Sequence, residues 1–246
     1  MRIAVISDIH ANLPALEAVL AAIDGSECEQ IWCLGDVVGY GAEPNECAAL
    51  VIERSDVCLA GNHDLGVLGA IDISTFSPVA AESAQWTQAH LADKTREYLA
   101  NLAPADETQE VAIYHASPRD HVWEYVLWPD QAGECLRVQK TRVALIGHSH
   151  MALFFKASPD GDIDATEGAQ VPGGTVLDVR DGRWLLNPGS VGQPRDGDPR
   201  AAWMDLDTER WMASYERLPY DVEKAAASIA AAGLPEHLSR RLYTGQ

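Results

Sequence analysis

The chain has 246 residues, 47% of them hydrophobic, enough to bury one substantial core, so a single domain over residues 1–246 is expected. Its 37 acidic against 18 basic side chains give a formal charge of −19, which opposes the counterion release that draws proteins to long nucleic acids and argues against duplex DNA as a partner. No apolar run approaches the roughly 18 residues of a membrane span, and the five cysteines form neither C-x-x-C nor a paired zinc pattern. Buried reduced thiols and a cytoplasmic home are the expectation.

In chain order, an apolar run over residues 3–6 reads as a buried strand, too brief for a secretory segment, and runs straight into Asp8-Ile9-His10. Leu16, Val19, Leu20 and Ile23 then recur at helical spacing over residues 14–23, with Asn12 as a cap. A second strand over 31–34 ends at Gly35-Asp36, and residues 43–54 read as a helix. The run 57–60 leads into Gly61-Asn62-His63-Asp64, and residues 80–91 are helical in pattern. Two more apolar runs, 111–114 and 143–146, end at His115 and at Gly147-His148-Ser149-His150. Five strands that each end in such residues would converge them on one sheet edge, where α/β folds place their sites.

Beyond His150 the pattern turns to strands, at 151–156, 174–179, 183–187, 201–207 and 211–217. Ser158-Pro159-Asp160-Gly161 and Asp181-Gly182 are turn signals that predict hairpins between them. The tail over 221–242 reads as two short helices separated near Gly233-Leu234-Pro235.

Two divalent cations sharing a site need roughly seven oxygen and nitrogen donors. Asp8, His10, Asp36, Asn62, His115, His148 and His150 supply them. A single histidine at a strand end is more often structural, so the order of the five segments carries the argument. That order, D-x-H, G-D, G-N-H-D, a lone His and G-H-x-H, resembles the calcineurin-like metallophosphoesterase superfamily. The segments 115–120 and 187–195 further resemble its bacterial and archaeal small-phosphoesterase branch, so the likeness runs from residue 1 to about residue 200. The resemblance implies a four-layer α/β/β/α sandwich, in which two central mixed sheets are flanked by helices.

Asp36 is the expected bridge, because a carboxylate has two oxygens and can hold two cations about 3.5–4 Å apart. The resemblance assigns Asp8, His10 and His150 to one ion and Asn62, His115 and His148 to the other. Asn62 donates an oxygen without adding a negative charge beside an anionic phosphate. A water activated between the ions would attack phosphorus in line with the leaving oxygen. His63 resembles the family's histidine that protonates the leaving group or binds phosphate, and Asp64 is expected to orient it through the other ring nitrogen.

Arg119 and Arg195 are candidate phosphate contacts or structural arginines. Asn187 to Gly192 could turn a loop back towards the pocket; Trp123, Tyr125 and Trp128 read first as packing and second as a wall for a planar group. The segment after Asp36 lacks the arginine that the family's large protein Ser/Thr phosphatases carry there. A phosphodiesterase on small, nucleotide-type substrates is therefore favoured over a phosphomonoesterase or a protein phosphatase. A non-catalytic scaffold is the further alternative, and the intact set of ligands argues against it. The donor set suits Mn²⁺, the first choice, and also Fe²⁺, Zn²⁺, Co²⁺ or Ni²⁺. Oligomeric state is open, a homo-oligomer through the helical tail or exposed strands included.

Overall fold

The computed structural model describes residues 1–157 and 163–246. The predicted turn at Ser158-Pro159-Asp160-Gly161 lies outside the described residues. The first half alternates strand and helix: β1 (Arg2–Ile6), α1 (Leu13–Asp24), β2 (Gln30–Cys33), α2 (Pro44–Arg54), β3 (Val57–Cys58), α3 (Asn62–Val67), α4 (Pro78–His90), α5 (Asp93–Ala100), β4 (Ala105–Asp106), β5 (Ala112–Tyr114), α6 (Pro129–Val138) and β6 (Val143–Leu145). Strands then dominate, with β7 (Ala152–Lys156), β8 (Glu167–Gln170), β9 (Val176–Asp178), β10 (Trp184–Pro188), β11 (Ala201–Asp207) and β12 (Met212–Leu218), before α7 (Val222–Ala231) and α8 (Glu236–Arg240) close the chain.

Two mixed six-stranded sheets result, in the orders β3-β2-β1-β11-β12-β9 and β4-β5-β6-β10-β7-β8. The period-two alternation of a strand decides which way each residue points. Ile3, Val5, Trp32 and Leu34 face the other sheet, where they meet Val143, Leu145, Trp184 and Leu186. Ala4, Ile6, Ile31 and Cys33 face outwards and are covered by Leu16, Val19 and Val51 of α1 and α2. On the far side, Ala144, Ile146 and Leu185 pack under Ala132, Cys135 and Leu136 of α6. Strands buried on both faces are apolar throughout, which is why they stood out as continuous runs. The layers are therefore helix, sheet, sheet, helix.

Three expectations need correction. The 57–60 run forms only a two-residue strand, because the Ala60 N–H leaves the ladder to bond the Ala103 carbonyl at 2.9 Å. Asp181-Gly182 makes a turn, with Gly182 at a φ of 86°, but it closes no hairpin. The turn carries the chain between sheets, since β9 pairs with β12 whereas β10 pairs with β6 and β7. Among the thiols, Cys33, Cys47 and Cys135 are buried, and Cys28 and Cys58 are only partly so; all five are free.

Several short elements carried too few apolar residues to be seen in the sequence: α3, α5, α6, β4 and β8. No helix among the described residues is long and apolar enough to cross a membrane. The tail folds back on the body, where Ile229, Leu234, Leu238 and Leu242 bury themselves against Tyr40 and Ala80.

Candidate metal centre

The seven proposed donors come together at the ends of β1, β2, β5 and β6 and at the start of α3. Five of them, Asp8, His10, Asp36, His148 and His150, have φ between 50° and 63°. This left-handed conformation is uncommon for residues other than glycine, costs roughly 1–3 kcal/mol each, and persists only where the surroundings hold it. Here neighbouring loops lock one another. The Asp8 N–H donates to the Gly35 carbonyl at 3.0 Å, His10 N–H to Asp36 at 2.9 Å, and Gly147 N–H to His115 at 2.8 Å. The loops approach so closely that a Cβ on Gly61 would lie 2.0 Å from Asp36 Oδ1, and one on Gly147 would lie 2.1 Å from Ser7 Oγ. The glycines of these motifs are therefore steric requirements.

Hydrogen bonds fix the histidine tautomers. Nδ1 of His10, His115 and His150 faces the carbonyl oxygens of Val38, Leu34 and Gln193 at 3.1, 2.9 and 2.6 Å. A carbonyl only accepts, so Nδ1 carries the proton, and in the neutral rings of His10 and His150 Nε2 presents a lone pair. His148 is reversed: its Nε2 donates to the Trp123 carbonyl at 3.3 Å, which frees Nδ1. The consequence is an arrangement that hydrogen bonding cannot satisfy. His10 Nε2 and His150 Nε2 face each other at 3.0 Å, lone pair to lone pair. Asp8 Oδ1 lies 3.5 Å from His150 Nε2, and both Asp8 Oδ1 and Asp36 Oδ2 are buried without a partner. A divalent cation among them resolves both problems, so these residues fit a metal.

The donor atoms form two groups. Asp8, His10, Asp36 and His150 place one atom each within 4.8 Å of the others, and so do Asp36, His115 and His148. Asn62 joins the second through its Oδ1, 3.1 Å from His115 Nε2. Asp36 belongs to both, but not with one oxygen for each as expected. Its Oδ1 accepts from the His63 N–H at 2.8 Å, and Oδ2 alone lies between His10 Nε2 at 3.5 Å and His115 Nε2 at 3.6 Å.

Burial pushes His10, His63, His148 and His150 well below the ordinary imidazole range, into the neutral form that ligates. Burial also raises Asp8, up to about 7, and raises Asp36, where the Asp64 carboxylate adds to the effect. Two carboxylates held where ionisation is costly suit a site that supplies its own positive charge.

Asp64 does not orient His63. Successive helical residues diverge by about 100°, and Asp64 turns away to accept from the N–H groups of Gly61, Val37 and Val38 at 2.9, 3.3 and 3.1 Å. It clamps the Asp36 loop to the start of α3. His63 itself is buried between Tyr40 and Phe76, with ring centroids 4.3 and 4.9 Å away. Its Nδ1 has no partner.

Beside the donors opens a cleft of about 410 Å³, lined by Asn62, His63, Trp123, Tyr125, Arg195 and Arg241 among others. Arg195 lies beside the site. Arg119 does not: its side chain is exposed and lies 3.5 Å from Glu124. The aromatic cluster divides. Tyr125 stacks on His148 with centroids 4.0 Å apart and Trp123 packs edge-on against Phe76, whereas Trp128 is 68% exposed over a separate groove.

The sequence missed Tyr40, Phe76 and Arg241, which come from a loop, a short turn and the tail. It also missed what Asn187 does. Fully buried, its Nδ2 donates to the Gly147 carbonyl at 2.7 Å and Ser149 Oγ at 3.0 Å, and its Oδ1 accepts from Gly189 N–H at 2.9 Å.

Residues 1–209 match the family model of the calcineurin-like phosphoesterase superfamily domain. An uncharacterized protein of Methanocaldococcus jannaschii is 38% identical over 249 residues, covering 99% of this chain and 98% of its own. A metallophosphoesterase from Sphaerobacter thermophilus superposes with a TM-score of 0.90 at 37% identity, over 100% of this chain and 99% of that one. A hypothetical protein from Pyrococcus horikoshii OT3 shares the fold, with a TM-score of 0.77 at 22% identity over 100% and 98% of the two chains. With its donor atoms gathered as described, the chain belongs to the calcineurin-like phosphoesterase superfamily and is a metal-dependent phosphoesterase.

Proposed function

We propose that the chain is a phosphodiesterase for small, nucleotide-type substrates that works with two divalent ions, Mn²⁺ the preferred one. The observation that carries this reading is Asp36 Oδ2, a buried oxygen without a partner that stands 3.5 and 3.6 Å from a histidine of each donor group. One oxygen shared by two groups suits two ions. Asp8, His10, Asp36 and His150 would hold one, and Asp36, Asn62, His115 and His148 the other. Bound there, the cations supply positive charge to the phosphoryl oxygens and lower the pKa of water enough to give a nucleophile near neutral pH.

The remaining work falls to the chain. Arg195 lines the cleft with its Nε unpartnered and offers planar donors to a phosphate oxygen. Asn62 contributes an oxygen without repelling the anion. His63, neutral by burial and with Nδ1 packed against Gly39, has its Nε2–H left to donate a hydrogen bond to a phosphoryl or leaving oxygen. Tyr125 and Trp123 give the leaving group an aromatic wall. The net charge of −19 favours a small substrate over a duplex, and five free thiols suit a reducing compartment such as the cytoplasm.

The test is hydrolysis of bis-p-nitrophenyl phosphate against p-nitrophenyl phosphate by metal-stripped protein refilled with Mn²⁺, with Asp36→Asn alongside. Diester turnover that the substitution abolishes is the expected result. Preference for the monoester would replace the phosphodiesterase reading with a phosphatase, and inactivity on both with metal bound would refute small-diester hydrolysis.

A further inference from the structure

The cleft has a second cationic group that cleavage of a lone phosphate does not need. Arg241 enters it from the turn after α8, a segment anchored by Leu238 and Leu242 against Tyr40 and Ile229. Its Nε donates to a terminal main-chain oxygen of Gln246 at 2.5 Å, and none of the described residues accepts from its two terminal nitrogens. Arg195, on the same cleft, donates from Nη2 to Gln193 Oε1 at 2.9 Å and Tyr40 Oη at 3.4 Å. Neither guanidinium has a carboxylate side chain within ion-pair distance among the described residues, in a chain with 37 acidic residues to choose from. Burial first, and the Arg195 charge second, push Arg241 down to about 10. Two half-buried guanidiniums on one cleft repel each other, and an anion between them offsets that cost with charge-assisted hydrogen bonds.

We propose that Arg241 is a specificity-determining residue for a second phosphoryl group, which places the substrate among small molecules with two linked phosphates and a planar organic end, of the nucleoside-diphosphate kind. The inference rests on the phosphoester-cleaving reading of the metal centre, which takes the first phosphate beside Asn62, His63 and Arg195. A single phosphate held there leaves Arg241 facing a like charge. A linked second phosphate reaches both guanidiniums and carries more of the negative charge that such a cationic pocket asks for. The planar end has a surface to meet. Trp123 and Tyr125 are 38% and 42% exposed, Trp123 is braced by Phe76 at 5.6 Å, and Tyr125 is stacked on His148. Aromatic faces of this kind stack bases without regard to sequence.

The experiment measures binding, so that it can fail separately from the hydrolysis test. The Mn²⁺-loaded protein is titrated with AMP and with α,β-methylene-ADP, whose P–C–P linkage resists cleavage, by calorimetry and by tryptophan fluorescence. The expected preference for the two-phosphate ligand is about tenfold or more, as for one strong charge-assisted contact. Arg241→Gln should reduce that preference to about threefold or less, and Arg241→Lys should restore part of it through the retained charge. Arg240→Gln, at a neighbour that pairs with Glu236 outside the cleft, should keep it in full. Equal affinity of the wild type for the two ligands would overturn the proposal, and so would an undiminished preference in Arg241→Gln. If the preference stands while bis-p-nitrophenyl phosphate is not cleaved, the reaction class is what falls.

Discussion

Asn187→Ala removes a side chain that touches no proposed donor yet braces two of them. The residue is fully buried, and its amide joins the Gly147 carbonyl, Ser149 Oγ and the Gly189 N–H, the first two within the loop that presents His148 and His150. After truncation the Gly147 carbonyl keeps the Ser149 N–H at 2.7 Å, so it loses only one of two donors. The Gly189 N–H loses its partner altogether, which costs about 1–3 kcal/mol for a buried donor. With the lost bond to Gly147 added, the metal-free protein should lose about 2–4 kcal/mol of stability, read as a shift of the urea midpoint at unchanged slope. Because the loop then no longer holds His148 and His150 in their left-handed conformation, affinity for Mn²⁺ should fall about 10–100-fold by calorimetry. A stability loss below about 0.5 kcal/mol together with unchanged affinity would refute the idea that this bracing sets the site.

Three further outcomes follow from the geometry. His63→Ala should keep its metal content and lose about 10²–10³-fold in turnover, the scale of one lost hydrogen-bond donor to developing charge; unchanged turnover removes His63 from the mechanism. Asp8, raised to about 7 in the metal-free fold against 3.8 ordinarily, holds at pH 6 a proton that the unfolded chain has already lost. Its contribution to the metal-free protein therefore declines as pH rises from 3.8 to about 7, and metal binding must expel that proton. Calorimetry in buffers of different ionisation heat should detect proton release at pH 6, where His10, His148 and His150 are already neutral, and its absence at pH 6 would contradict the assignment of Asp8 as a ligand. Arg119→Ala, which removes an exposed pair with Glu124, should change stability by less than about 1 kcal/mol and leave diester kinetics as they were.

The strands and longer helices were legible because each is buried on a defined face and so writes its period into the chain. Ile3 to Ile6 and Val143 to Ile146 are apolar throughout since both faces are covered. The donor segments were legible because polar residues of ligand type closed five apolar runs in order, three of them beside a glycine. What escaped notice depends on contacts distant in sequence. Asp64 lies next to His63 in the chain, and only the direction of the α3 turn shows that it serves the Asp36 loop. Arg241 belongs to the cleft through the packing of Leu238 and Leu242, which no local pattern announces. The two oxygens of Asp36 look equivalent until the His63 N–H claims one of them.

The first donor group draws on positions 8, 10, 36 and 150 and leans on the Asn187 side-chain amide and the Gln193 carbonyl beyond them. Its four positions belong to both sheets: Asp8, His10 and Asp36 follow β1 and β2 of one, and His150 follows β6 of the other. An ion at a thousandfold excess over its dissociation constant adds about 4 kcal/mol to the finished fold and little to anything less. The metal thus acts as an inspector of assembly. A chain whose two sheets have not come together lacks this nest of donors, so the metal site is built by the fold as a whole.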